Sequence, residues 1–70
     1  MERKKVDMVE AGKRLRQLRG IRTRSGVARE LEISYAALAF YENGQRQPSG
    51  SVKKKLADYY GVPVEFIFYT

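Results

Sequence analysis

Side chains able to do acid–base, nucleophilic or redox chemistry are scarce in this chain. It has no His and no Cys. That removes the usual general base, the commonest metal ligand and any thiolate or disulfide. A catalytic site would need paired carboxylates, and the eight acids are scattered without clustering. No enzymatic activity, metal or cofactor is expected. What the chain carries instead is positive charge: 14 Lys plus Arg and a formal net charge of +6. Lys13, Arg14, Arg16, Arg19, Arg22, Arg24 and Arg29 fall in one stretch with no acid among them. Two further blocks are Arg3-Lys4-Lys5 and Lys53-Lys54-Lys55. Runs of charge are usually solvated helix faces. Arginine outnumbers lysine in the long block, however, and its planar fork matches phosphate oxygens. The chemistry to expect is binding of a polyanion, most often nucleic acid.

Those cations must be positioned by a small scaffold. Seventy residues hold one domain. A domain of this size buries only about 60% of its unfolded surface, so a partner subunit would help its stability. Apolar runs last only a few residues, so no membrane span is expected. Met1 to Val9 is basic but has no apolar stretch behind it, unlike a signal peptide. The expected location is the cytoplasm, at the nucleoid, and no small-molecule ligand is expected. Residues 1–6 read as a flexible basic arm that adds weak phosphate neutralisation. Residues 7–70 read as the single domain.

Helical spacing runs through that domain. Asp7 and Glu10 have capping-box spacing, which starts a helix near Met8. Met8, Ala11, Leu15 and Leu18 then form one apolar stripe. Thr23 caps a second helix running to about Leu31, with Val27, Ala28 and Leu31 inward. Ser34 caps a third from Tyr35 to Glu42, with Leu38 and Tyr41 inward. Asn43-Gly44 ends it, and residues 44–50 are loop. Ser49 or Ser51 caps a fourth helix ending at Gly61, with Leu56, Ala57 and Tyr60 as core. Pro63 suits the first turn of a short fifth helix through Phe68. No alternating strand pattern or repeat is present. The expected fold is all-α with five short helices.

The second and third helices, joined by a tight turn, have the pattern of a helix-turn-helix over residues 23–42. Ala28 provides a small residue for their crossing, Ile33 an apolar plug after the turn, and Leu38 an inward residue one turn later. The chain also resembles the Cro/lambda-repressor-like, or XRE, helix-turn-helix family. The resemblance rests on Arg14-Leu15-Arg16-Gln17-Leu18-Arg19, Val27-Ala28 with Leu31, and Ile33-Ser34. It continues through Tyr41-Glu42-Asn43-Gly44 with Arg46, Pro48 and Ser49, then Leu56-Ala57 and Tyr60-Gly61-Val62. The similarity covers residues 8–68, and the segment from Tyr41 to Ser49 is its most specific part.

This resemblance implies a DNA-binding domain whose third helix lies in the major groove while the second crosses the backbone. Arg24 would open the second helix where the family often has a phosphate-contacting Gln. Ser34, Tyr35, Ala36 and Ala39 would face the groove, with Phe40 at its edge. Asn43 and Arg46 would touch the backbone. Base readers are normally Arg, Asn or Gln. Tyr35, Ala36 and Ala39 give thin, apolar readout, biased toward thymine methyls and supplemented by DNA shape. Arg24 has two readings, guanine contact or phosphate contact alone.

Four positions depart from the family pattern. Glu32 stands where the turn usually has Gly; in the left-handed conformation it would cost roughly 1 kcal/mol, and the expectation is a slightly different turn rather than a special role. Gly26 sits inside the second helix. Gly50 and Lys53 replace apolar residues, which would leave the start of the fourth helix shifted or loose.

The C-terminal segment, residues 62–70, places Val64, Phe66, Ile67, Phe68 and Tyr69 within six residues. Phe66 and Ile67 are expected to close the core. Exposed apolar patches mark interfaces, so a homodimer through Phe66, Phe68 and Tyr69 is expected. A short antiparallel strand over Phe68 to Thr70 is a further option. The alternative is that these aromatics fold back on the fourth helix. The function expected is a sequence-specific regulator of transcription, a repressor that binds a palindromic operator in double-stranded DNA. Two alternatives stay open. One is the antitoxin of a toxin–antitoxin pair. The other is a protein-interaction module with degenerate DNA reading. Under either, the partner would be a protein such as a toxin or antirepressor.

Overall fold

Four of the five helices begin at a side-chain oxygen that takes up otherwise unpaired backbone N–H groups. They are seen in a computed structural model that describes residues 7–69. The expected arm, residues 1–6, and Thr70 lie outside the described residues. Helix α1 (Met8–Arg19) starts at the Asp7 carboxylate, which accepts from Val9 and Glu10 N–H at 3.1 and 3.2 Å. Glu10 pairs with Lys13 at 3.4 Å and makes only half of the expected capping box. Thr23 caps α2 (Arg24–Leu31), Ser34 caps α3 (Tyr35–Glu42) and Ser49 caps α4 (Gly50–Tyr60). Helix α5 (Val64–Phe68) has no side-chain cap; Pro63 precedes it instead of lying in its first turn.

Each helix sends at least one large side chain into a common core. Leu15, Val27, Leu38, Leu56, Ile67 and Phe68 are almost wholly buried. Burial of each such side chain contributes about 1.5–3 kcal/mol. Ile33 covers this core from the turn between α2 and α3. Helix α1 packs on α3 and α5, and α2 packs on α3 and α4. Among the described residues there is no β-strand, only an isolated bridge position at Tyr69.

The turn between α2 and α3 takes the costlier conformation open to Glu32. Glu32 is left-handed, with φ 59 and ψ 40. The N–H of Ile33 reaches back to the carbonyl of Ala28, and that of Glu32 to Arg29. This closes α2 and aims α3, but it demands a conformation that costs a residue with a Cβ roughly 1–2 kcal/mol. Glycine would relieve that strain while gaining freedom in the unfolded chain. Glu32→Gly is therefore expected to stabilise the domain by a net ~0.5–1 kcal/mol. Urea unfolding should show a raised midpoint; an unchanged or lower midpoint would show that the turn is unstrained.

Two further expectations fail at the C-terminal end. Helix α4 is not loose: it runs regularly from Gly50, with Lys53 buried in it. The Lys53 ammonium donates to the Tyr69 hydroxyl at 3.3 Å and lies 5.1 and 5.7 Å from the Tyr69 and Phe68 ring centres. Cation–π attraction favours these contacts. Phe68, not Phe66, therefore joins Ile67 in the core, and Phe66 is left 55% exposed. Phe68 ends α5 instead of beginning a strand, and Tyr69 after it is extended.

Candidate nucleic-acid interface

Leu38 turns inward from α3. Ser34 at its N-cap, Tyr35, Ala36 and Phe40 are exposed, and Ala39 is half-buried. Ser34 is partly committed, because its hydroxyl caps the helix by accepting from Ala37 N–H at 3.0 Å. No cation lies on α3 itself. Both of its exposed aromatic rings nevertheless carry an arginine from elsewhere. The Arg24 guanidinium, from the first residue of α2, lies 5.8 Å from the centre of the Tyr35 ring. Arg46, from the loop after α3, lies 5.4 Å from the Phe40 ring. Asn43 occupies the C-cap of α3 with an exposed side chain, and Gly44 follows in the left-handed region at φ 73. The structure thus gathers Arg24, Ser34, Tyr35, Ala36, Ala39, Phe40, Asn43 and Arg46 around one helix.

The residue that spacing did not reveal is Glu42. Its carboxylate is completely buried at the end of α3. Arg19 Nε donates to one oxygen at 2.8 Å and Arg24 Nε to the other at 3.0 Å. Arg16 donates to its backbone carbonyl. One acid therefore ties α1, α2 and α3 together. The hydrogen bond to Glu42 raises the pKa of Arg24 above its ordinary value, so this arginine stays cationic. Burial, then the field of Glu42, pushes the Tyr60 hydroxyl up to about 12. Glu42 does stand in the motif Tyr41-Glu42-Asn43-Gly44, but its type alone gave no sign that it was buried.

The long basic block changes meaning accordingly. Lys13 pairs with Glu10, Arg14 donates to the Ile67 carbonyl at 3.2 Å, and Arg16 and Arg19 serve Glu42. Arg22 donates to the Leu18 carbonyl and lies over Tyr59. Among the described residues, Arg29 is the one member of the block with no such partner. Much of the block is framework rather than open phosphate-binding surface.

The residues expected at a dimer interface separate. Phe66 is exposed, Tyr69 is half-buried, and Phe68 is enclosed within its own chain. Among the described residues no group of three or more His, Cys, Asp or Glu could hold a metal ion, and no helix is long and apolar enough to cross a membrane.

A helix-turn-helix family model matches residues 13–67 of the chain. No curated protein matches it. Two solved structures are similar. The restriction-modification controller protein C.AhdI from Aeromonas hydrophila has a TM-score of 0.78 and 28% identity, covering 89% of this chain and 97% of that one. The DNA-binding domain of BldD has a TM-score of 0.72 and 28% identity, covering 89% and 93%.

Proposed function

The chain belongs to the XRE family of helix-turn-helix proteins, and from that premise we propose a DNA-binding transcription regulator that represses by occupying a palindromic operator as a homodimer. The observation that carries this reading is the exposed face of α3 with an arginine over each of its aromatic rings. In this reading α3 enters the major groove and α2 crosses the backbone. Ala36 and Ala39 permit close approach and present methyl groups to thymine. Asn43 and Arg46 meet phosphates beyond the groove. The likeness to a restriction-modification controller and to the DNA-binding domain of BldD supports a regulatory, DNA-binding role.

Homodimerisation is proposed through the outer face of α5, centred on exposed Phe66 and bordered by Tyr69. Phe68 would brace that face from within the core. Two-fold pairing would set half-sites about one helical turn apart. A dimer seated there would block polymerase by occupancy.

Selection from a random duplex library at two salt concentrations tests the reading. A palindromic consensus is expected. Binding without enrichment that vanishes as salt rises would leave only the electrostatic attraction and sink the regulator reading. Within the same assay, Arg46→Ala should weaken binding to every duplex alike. It should also lower the salt slope by about 1, as loss of one phosphate contact does. A changed consensus would instead make Arg46 a base reader.

A further inference from the structure

We propose that Glu42 and Tyr35 are positioning residues that hold Arg24 as an end-on fork for one guanine in each operator half-site. The inference rests on the DNA-binding reading above. Three observations lead to it. First, the Glu42 side chain is wholly buried, so it cannot meet nucleic acid itself. Its Oε1 takes the Nε of Arg24 at 3.0 Å, while Oε2 is anchored by Arg19 from the other side. Second, the Arg24 guanidinium carbon lies 5.8 Å from the centre of the Tyr35 ring. The guanidinium is thus held at Nε by Glu42 and flanked by the Tyr35 ring. Third, Tyr35 is the first residue of α3, and the N-terminal residues of a recognition helix are those that reach base edges.

With Nε committed to Glu42, the edge left for a ligand is the pair of terminal nitrogens. Guanine presents O6 and N7 on one edge at the spacing that fork matches. A phosphate would accept from an arginine in many rotamers and needs no such bracing. The face of α3 offers alanines where an Asn, Gln or Arg would read, so a reader must come from outside the helix. Arg24 is the cation placed to do so. The bracing also removes rotamer freedom before binding, which lowers the entropic cost of a bidentate contact.

The test uses the full chain and its selected operator. Each guanine is replaced in turn by 7-deazaguanine, which lacks the N7 acceptor and leaves every phosphate in place. For the unmodified protein, one guanine per half-site should show a loss of affinity of roughly ten-fold. Arg24→Lys keeps the charge and the salt slope but lacks the fork. It should reduce that penalty to less than about two-fold, as expected when no bidentate contact remains. Tyr35→Leu and Glu42→Gln should do the same, each measured where circular dichroism shows it folded. Tyr35→Leu leaves the buried acid untouched, so the test stands even if Glu42→Gln unfolds. A penalty that persists in either folded variant overturns the positioning role. A consensus insensitive to every 7-deazaguanine overturns guanine reading and leaves the regulator reading standing. Failure to select any consensus overturns both.

Discussion

Replacing Glu42 with alanine is expected to cost the domain about 3 kcal/mol or more, the penalty for leaving buried charge without its partner. Arg19 and Arg24 both donate their Nε to this carboxylate, and their side chains are only 18% and 23% exposed. Neither can rehydrate fully without leaving its packed position. Partial exposure keeps the cost near the low end of the 3–5 kcal/mol range for broken buried pairs. Domains of this size have about 5 kcal/mol of stability or little more. The variant should therefore be largely unfolded at modest urea concentrations, or fold only in the cold. Chemical unfolding followed by far-ultraviolet circular dichroism gives the answer. A loss below about 1 kcal/mol would match a surface ion pair and would show that the two arginines reach solvent freely.

Gly12→Ala is the second change with a large expected effect, and its sign is set by a contest. Alanine inside a helix is favoured over glycine by about 1 kcal/mol. Here, however, a Cβ would lie 2.4 Å from the carbonyl oxygen of Glu42, 2.9 Å from its carbonyl carbon and 3.0 Å from the carbonyl oxygen of Tyr41. All three are backbone atoms, so no rotamer change relieves the overlap. Helix α3 would have to move away from α1. Overpacking of this kind costs about 1–3 kcal/mol, and backbone collisions lie at the upper end. A net destabilisation of about 2 kcal/mol is expected once the helix gain is subtracted. Because the displaced helix is the candidate recognition helix, operator affinity measured on fully folded protein should fall as well. A stabilised variant would show that α1 and α3 separate at little cost.

Much of the fold was legible because it is written in local rules. Asp7, Thr23, Ser34 and Ser49 are side-chain caps, and each starts a helix within a residue of where its type predicts. Gly61 and Gly44 end helical segments in the left-handed conformation that glycine tolerates. Leu15, Leu38 and Leu56 mark inward faces because helical spacing repeats around them. The candidate interface was legible only through the family resemblance, which puts Ser34, Tyr35, Ala36, Ala39 and Phe40 toward the groove; periodicity alone does not separate Ser34 and Tyr35 from Leu38, which lies one turn on.

What only the tertiary structure decided are the features that depend on a neighbour distant in sequence. Helix α5 spans five residues. So short a stretch shows no repeating phase, and Phe66 and Phe68 look alike in sequence. The ammonium of Lys53 and the space beside Ile67 settle which of them goes inside. Gly12 reads as a weak point in α1 until α3 lies across it. Glu42 reads as the acidic end of a helix until Arg19 and Arg24 arrive from two others and leave it buried but paired. Local sequence determined the helices, their ends and their faces, because caps, glycine and periodicity act within a turn or two. Packing determined which charges became framework and which stayed available to a ligand, because burial and ion pairing exist only once separate helices meet.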